Sequence, residues 1–277
     1  MQRFLVLDGY DRAGREGLIE AGATLAGTLY QNMIGHYRPK AQIDIFHPAD
    51  ADARLPDLSA YDAMFWTGSS LTIYDNVPAV NRQIELARAA FRLGIPAFGS
   101  CWALQLASVA AGGSCRKNPK GREFGLTQQL SLTQDGRQHP VLAGRDAPYC
   151  GFTSHFDEVE TLPNGTDILV TNQATNVQAA EIHYENGRFF ALQYHPEYNF
   201  SEIAALAKFR GQGLIAEGFV DGEAGLDKYI EGCQQLDKMP VDKTLRAQFA
   251  ATDDVLRESH KHSEVIRWLD LHFPAAY

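Results

Sequence analysis

A cysteine at residue 101 stands where a buried strand would pass into a helix. Residues 95–98 are apolar, the small residues Gly99 and Ser100 follow, and an apolar helical pattern begins after Cys101. A nucleophile on such a turn is held above the sheet, and the free N–H groups of the new helix face its sulfur. Both effects favour the thiolate, the reactive form of cysteine. The pattern makes Cys101 a candidate nucleophile, with a buried structural cysteine as the alternative.

A histidine and a carboxylate lie two residues apart in the segment His195-Pro196-Glu197. A cysteine nucleophile needs a base, and the base needs a group that fixes its tautomer. Pro196 biases His195 away from helical dihedral angles, so the ring should project from an extended segment. Glu197 can then accept the imidazole N–H. The alternative is a strand-ending histidine followed by a helix-capping Pro-Glu pair, but the combination with Cys101 favours a catalytic set.

Short apolar runs alternate with helical patterns over the first hundred residues. The runs predict four strands, at residues 4–7, 43–46, 63–66 and 95–98. The spacing of apolar residues predicts one helical stretch over 18–29, and Pro78 opens another helix. Such alternation predicts βαβ units in an α/β fold, with an open, mostly parallel sheet and helices on both faces. Strands that are apolar throughout fit a sheet buried on both sides.

The chain changes character after Gly112-Gly113. Five strand-like segments follow in quick succession, at residues 126–132, 158–162, 168–171, 177–182 and 189–193. Asn164-Gly165 and Asn186-Gly187 are hairpin signals between them. They predict an antiparallel extension of the sheet. From about residue 202 the pattern is helical, so we expect a domain over 1–205 and a helical C-terminal extension over 206–277.

Composition limits the classes of function. The 277 residues carry a net charge of −9, with 45% hydrophobic and 21% charged residues. This balance is typical of a globular protein and argues against a nucleic-acid partner, which needs surplus Lys and Arg. No apolar run is long enough to predict a signal peptide or a membrane anchor, so we expect a cytoplasmic protein. Neither the cysteines nor His260 and His262 have metal-ligand spacing, and no phosphate-loop motif is present, so no metal and no cofactor are predicted.

Five segments together resemble the class I (triad-type) glutamine amidotransferases. Residues 99–105 (GSCWALQ) are similar to the family's G-x-C-x-G-x-Q nucleophile motif, and residues 195–197 (HPE) to its H-P-E motif. Residues 66–75 (WTGSSLTIYD) look like its Gly-rich oxyanion loop, in the form found in stand-alone, GMP-synthase-like members. Residues 152–157 (FTSHFD) look like its glutamine-contacting SHxD strand, and residues 118–125 (NPKGREFG) resemble a further loop of those members. The motifs occur in the family's order.

The resemblance covers roughly residues 1–205 and implies a role for each matched position. Cys101 would attack the γ-amide carbon of glutamine and form a γ-glutamyl thioester. His195 would relay protons, oriented by Glu197.

The same resemblance implies an oxyanion hole and a substrate site. Backbone N–H groups of Trp102 and of Ser69 or Gly68 would form the oxyanion hole. The α-amino and α-carboxylate ends of the substrate would be held by Gln105, Ser154, His155, Phe156 and Asp157. Two positions depart from the family pattern, because Ala103 replaces its second glycine and Ser69 stands where many members have glycine. Both departures put plain glutamine in doubt as the preferred substrate.

Three functions remain open on the sequence alone. One is a glutamine amidotransferase that passes ammonia to an acceptor activated by a separate synthetase. The second is a γ-glutamyl hydrolase that releases the amine to water, because residues 195–199 (HPEYN) also look like the same stretch in γ-glutamyl peptidases. The third is a non-catalytic regulatory relative, against which the intact Cys101, His195 and Glu197 argue.

Overall fold

The computed structural model describes residues 1–274, in which strands and helices alternate along the first half of the chain. The strands are β1 (Arg3–Leu7), β2 (Gln42–Phe46), β3 (Ala63–Trp66), β4 (Ala97–Ser100), β5 (Ser114–Lys117), β6 (Glu123–Leu132), β7 (Tyr149–His155), β8 (Asp157–Thr161), β9 (Asp167–Thr171), β10 (Ala179–Tyr184) and β11 (Gly187–Leu192). The helices are α1 (Arg12–Ala21), α2 (Ala26–Tyr37), α3 (Pro78–Leu93), α4 (Trp102–Ala110), α5 (Gln134–Gln138), α6 (Phe200–Ala216), α7 (Gly222–Lys238), α8 (Lys243–Phe249), α9 (Asp253–Leu256), α10 (Glu258–Lys261) and α11 (Ser263–His272).

Nine strands form one sheet in the order β2-β1-β3-β4-β11-β10-β9-β6-β7. The first five of these are parallel to one another, and the remaining four pair antiparallel. The predicted open, mostly parallel α/β sheet with an antiparallel extension is confirmed. Strands β5 and β8 form a separate antiparallel pair. The two candidate catalytic segments follow the neighbouring strands β4 and β11, so they emerge at the same edge of the sheet.

The central strands are apolar on both faces because each face has its own core. In β3 all four side chains are buried, and they alternate between two hydrophobic clusters. Met64 and Trp66 belong to one cluster, whereas Ala63 and Phe65 belong to the other. Successive side chains of a strand point to opposite faces, so a continuous apolar run is what a sheet covered on both sides requires.

The predicted helical stretch over 18–29 is two helices. Helix α1 ends at Gly22, which has φ 85° and donates its N–H back to the last turn, and α2 begins after the extended residue Leu25. The left-handed conformation at Gly22 is the usual glycine stop of a helix. The predicted strand at 95–98 begins two residues later than expected, since β4 spans Ala97–Ser100.

Every regular element after residue 200, within the described chain, is a helix, and the last of these helices is part of the core. Trp268 of α11 packs edge-on against Phe65, with ring centroids 5.2 Å apart, and Val265 and Leu269 are fully buried beside it. The predicted boundary at 205 falls inside α6. In residues 1–274 no helix combines the length and apolarity needed to cross a membrane.

Gly99 allows β4 to approach its neighbours beside the nucleophile. A Cβ at this position would lie 2.3 Å from Ala103 Cβ and 2.5 Å from the carbonyl oxygen of Trp66. We expect Gly99→Ala to lower the free energy of unfolding by about 1–3 kcal/mol, the usual cost of overpacking a core. Chemical denaturation measures this change. Gly35→Ala is the control, because its Cβ would meet only Ile43 Cδ1 at 3.8 Å. An equal effect of the two substitutions would contradict the explanation.

Candidate active site

Cys101 lies in the turn between β4 and α4 with an unusual backbone conformation. Its φ is 54° and its ψ is −99°, although it is not glycine. Such a conformation costs roughly 1–3 kcal/mol and persists only where neighbouring contacts impose it. The Cys101 N–H donates to Leu192 O at 2.7 Å, and its carbonyl accepts from Leu104 N–H at 3.0 Å. The strained turn is therefore held on one side by β11 and on the other by the new helix.

His195 and Glu197 form a buried pair behind this turn. His195 Nδ1 lies 2.7 Å from Glu197 Oε1, and both side chains are almost fully buried. The Ser100 hydroxyl donates to the same carboxylate oxygen at 2.9 Å, and Tyr30 OH donates to Ser100 Oγ at 2.8 Å. These contacts fix the carboxylate and, through it, the plane of the imidazole. Glu197 can hold the Nδ1 proton, which leaves Nε2 directed away from the carboxylate.

The imidazole is also held by stacking. The ring of Tyr198 lies 4.0 Å from that of His195 at an angle of 12°. Burial is the largest single effect and lowers the pKa of His195, but the charge and hydrogen bond of Glu197 and the contributions of Cys101 together outweigh it and raise the pKa to about 9. The Nε2 atom is buried and has no hydrogen-bond partner. At neutral pH the ring is therefore set up as an imidazolium with one unused donor.

Gly68 lies between the cysteine and the histidine. A Cβ on Gly68 would come within 3.0 Å of His195 Cε1 and 3.9 Å of Cys101 Cβ. A glycine is needed here because any side chain would push the imidazole ring. The contact also shows that the loop after β3 directly adjoins both Cys101 and His195.

The two departures from the family pattern have different structural consequences. The Ala103 methyl is fully buried in the core and faces Gly99, away from the pocket residues. Ser69 fixes its loop, since its hydroxyl donates to Gly9 O at 2.9 Å and accepts from Leu71 N–H at 3.1 Å. The serine thus supplies rigidity that a glycine at this position would lack, and the methyl of Ala103 does not narrow the pocket.

A buried glutamine, Gln83 of α3, anchors the start of α4. The indole Nε1 of Trp102 donates to Gln83 Oε1 at 2.9 Å, and Gln83 Nε2 donates to Gly9 O at 3.1 Å. Gly9 O is the atom that also accepts from Ser69. One hydrogen-bonded chain therefore ties the two predicted oxyanion segments together. Gln83 is absent from the residues predicted from the sequence, where its only signal is a polar residue on the apolar face of α3.

The predicted substrate residues surround a pocket of about 300 Å³ that opens over Cys101. Its lining includes Ser69, Trp102, Gln105, Ser154, His155, Phe156 and Asp157. Gln105 Nε2 donates to Asp157 O at 3.3 Å, and the Ser154 hydroxyl is buried without a partner. Tyr74 OH donates to the Asp157 carboxylate at 2.9 Å. The structure thus brings the predicted residues together in one pocket, where Asp157 supplies an acidic group and Ser154 an unused hydroxyl.

His155 uses both ring nitrogens inside the protein. Its Nε2 lies 2.9 Å from Glu123 Oε2, and its Nδ1 lies 3.0 Å from Asp157 O. Glu123 also accepts from Asn172 and Gln178. The ring therefore holds the strand end at Asp157 in place, which is a way to shape the pocket without contacting a ligand through its nitrogens.

The described part of the chain has no cluster of side chains that could bind a metal ion. Residues 1–274 contain no group of three or more His, Cys, Asp or Glu side chains placed to share an ion. His262, one of the two histidines near the C-terminus, is buried, and its Nδ1 lies 2.9 Å from Tyr37 OH. It serves packing between α2 and the C-terminal helices.

Fold and site define an α/β protein that brings a cysteine, a histidine and a glutamate together beside one polar pocket. The family model of class I glutamine amidotransferases matches residues 35–209. A γ-glutamyl-L-1-hydroxyisopropylamide hydrolase from a Pseudomonas species is 33% identical over 220 residues, which cover 78% of this chain and 74% of that enzyme. The chain belongs to the class I glutamine amidotransferase family.

Other relatives are similar to part of the sequence or have a similar fold. A glutamine-hydrolysing GMP synthase from Finegoldia magna is 35% identical over 182 residues, which cover 64% of this chain but only 31% of the synthase. The crystal structure of a glutamine amidotransferase from Methylobacillus flagellatus superposes with a TM-score of 0.64 at 15% identity, covering 97% of this chain and 94% of that one. The crystal structure of a glutamine amidotransferase from Thermotoga maritima superposes with a TM-score of 0.61 at 16% identity, covering 91% of this chain and 99% of that one.

Proposed function

We propose that the chain hydrolyses γ-glutamyl amides through a Cys101–His195–Glu197 triad. The observation that carries the proposal is the arrangement of His195, whose Nδ1 is fixed by Glu197 while its buried Nε2 is unused beside the Cys101 turn. A base oriented by a carboxylate next to a strained nucleophile is the general design of covalent acyl-transfer catalysis. The similarity to a γ-glutamyl amide hydrolase over most of both chains supports this substrate class.

The first half-reaction breaks the amide bond. The Cys101 thiolate attacks the γ-carbonyl carbon, and the carbonyl oxygen becomes an oxyanion bound by the N–H groups of Trp102 and of Ser69 or Gly68. Such donors contribute roughly 10²–10³ in rate. When the C–N bond breaks, the leaving nitrogen takes the Nε2 proton of the His195 imidazolium. A γ-glutamyl thioester and a free amine result.

The second half-reaction releases glutamate. The now neutral His195 accepts a proton from water, whose oxygen attacks the thioester carbon. The C–S bond breaks, the thiolate of Cys101 is restored, and His195 is again an imidazolium. Glu197 stabilises that charge in both half-reactions. The pocket excludes other acyl groups by binding the α-amino and α-carboxylate ends with Gln105 and with the segment from Ser154 to Asp157.

We expect the isolated chain to release glutamate from γ-glutamyl amides. The assay measures glutamate and the free amine from L-glutamine, γ-glutamylmethylamide and γ-glutamylethylamide in parallel, with α-glutamyl amides as the control. Cleavage confined to γ-linked compounds supports the proposal. Absence of turnover on every γ-glutamyl compound would refute it.

A glutaminase component of an amidotransferase is the second candidate. The identity to GMP synthase favours it, because the matched segment makes up only 31% of that enzyme. In this case ammonia would pass to a separate synthetase. Hydrolysis of L-glutamine that is weak alone and rises many-fold on adding such a partner would favour this candidate. Efficient cleavage of larger γ-glutamyl amides by the chain alone would favour the hydrolase.

A further inference from the structure

The catalytic pocket continues into a second, wider groove along α6 and α7. This outer groove has a volume of about 660 Å³, compared with about 300 Å³ for the pocket over Cys101. The two cavities share three lining residues, Ser70, Arg122 and Arg210. A substrate longer than glutamine could therefore extend from the nucleophile past these residues.

The two shared arginines differ in how their charges are compensated. Arg122 forms a double hydrogen bond with Glu217, at 2.7 and 3.0 Å. Arg210 forms no ion pair with any acidic side chain of residues 1–274, and its Nε is buried without a hydrogen-bond partner. The protein therefore leaves the charge of Arg210 uncompensated at a position that lines both cavities, and a guanidinium can form two parallel hydrogen bonds to a carboxylate.

Arg210 lies where the catalytic pocket meets the outer groove. A γ-glutamyl amide is longer than glutamine only on the leaving-amine side of the bond that is broken. A substrate that extends from the pocket into the outer groove therefore carries its leaving amine past Arg210.

The pocket over Cys101 also contains a carboxylate. Asp157 is the acidic side chain of its lining, and Tyr74 OH donates to this carboxylate at 2.9 Å. The carboxylate of Asp157 suits the α-ammonium of the γ-glutamyl group, so the pocket presents charges of both signs to a bound substrate.

We propose that the preferred substrates are γ-glutamyl amides whose leaving amine carries a carboxylate, such as γ-glutamyl amino acids and peptides, and that Arg210 binds this carboxylate. The inference rests on the proposed γ-glutamyl amide hydrolysis and specifies its substrate class. The outer groove provides room for the leaving amino acid or peptide. Arg210 acts as a specificity residue for the leaving group, and the chemical step belongs to the residues already described.

The test compares γ-glutamylglycine with its neutral analogue γ-glutamylglycinamide. We expect kcat/KM of the wild-type chain to be roughly 10- to 100-fold higher for the acid, the range expected for a charge-assisted hydrogen bond. In Arg210→Gln the ratio of the two kcat/KM values should fall toward one. Arg210→Lys, which keeps the charge but lacks the fork, should give an intermediate ratio. Arg92→Gln is the matched control, because Arg92 is an exposed arginine that lines neither the pocket nor the outer groove.

The outcomes separate this inference from the proposed function. If the wild-type chain has equal kcat/KM for the acid and the amide, the inference is overturned and the proposed γ-glutamyl hydrolysis is unaffected. This comparison needs no variant. An equal loss on both substrates in folded Arg210→Gln would instead place Arg210 at the α-carboxylate, which also overturns it. No turnover of either substrate, nor of γ-glutamylethylamide, would refute the proposed function itself. Thermal unfolding of each variant shows that the comparison concerns folded protein.

Discussion

Replacing Cys101 with alanine is expected to lower turnover of every γ-glutamyl amide by roughly 10⁴-fold or more, since the substitution removes the proposed nucleophile. A nucleophile and its base act as a unit, so loss of the nucleophile removes nearly all of the rate enhancement that the catalytic residues provide together. Glutamate release from γ-glutamylethylamide measures the change. Mass spectrometry of the quenched reaction should detect a γ-glutamyl adduct on the wild-type chain and none on Cys101→Ala.

Cys150→Ala is the matched control for this experiment. The Cys150 thiol is also buried, but its sulfur contacts Gln128 and it does not line the pocket over Cys101. We expect this variant to keep turnover within a few-fold of the wild type. If the Cys101→Ala variant retained a tenth of the wild-type rate, the proposed mechanism through a thioester on Cys101 would be wrong. A γ-glutamyl adduct on Cys150 would lead to the same conclusion.

The parallel half of the sheet could be predicted from the sequence because short apolar runs mark its strands. The run at Ala63–Trp66 coincides with β3, and the change to closely spaced strand-like segments with hairpin turns after Gly112 marks the antiparallel half. The break between α1 and α2 could not be predicted, because a single Gly22 within an apolar periodic pattern is compatible with a continuous helix. The strand β5 is half exposed and has no apolar run, so its pairing with β8 is a tertiary effect.

The three proposed triad residues could be found from the sequence because local motifs contain them. Their supporting contacts could not, since each joins distant parts of the chain. Gln83 reaches Trp102 from another helix, and Tyr30 reaches Glu197 only through Ser100. Neither Gln83 nor Tyr30 lies in a motif.

The position of Arg210 in the pocket could not be predicted from the sequence either, because it lies in the region predicted to be a C-terminal extension. It lies five residues beyond the predicted boundary at 205, yet it lines the pocket over Cys101. The helix that carries it begins at Phe200, directly after the segment of His195. A boundary drawn where the helical pattern starts therefore separates residues that share one site. In this fold the helices after β11 complete the pocket as well as the core.

Replacing Glu197 with glutamine is expected to lower kcat roughly 10²- to 10⁴-fold and to move the basic limb of the pH profile downward. The pKa of His195 is about 9 because the contributions of Glu197, the largest of those that raise it, and of Cys101 together outweigh the effect of burial. The imidazolium is thus present below about pH 9 and is lost above it, and with it the proton that the leaving amine requires. Without the carboxylate, burial dominates and the ring loses its proton at lower pH. Removing the equivalent aspartate of a serine protease costs about 10⁴ in kcat.

The measurement is kcat/KM for γ-glutamylethylamide between pH 6 and 10 for wild type and variant. Glu202→Gln is the control, because this carboxylate is also buried but binds the hydroxyl and N–H of Thr24 instead of a catalytic group. It should leave the basic limb near pH 9. If Glu197→Gln reduced the rate without moving the limb, the carboxylate would orient His195 without stabilising its charge. If the limb moved equally in both variants, the pair between His195 and Glu197 would not be what sets the pKa of the ring.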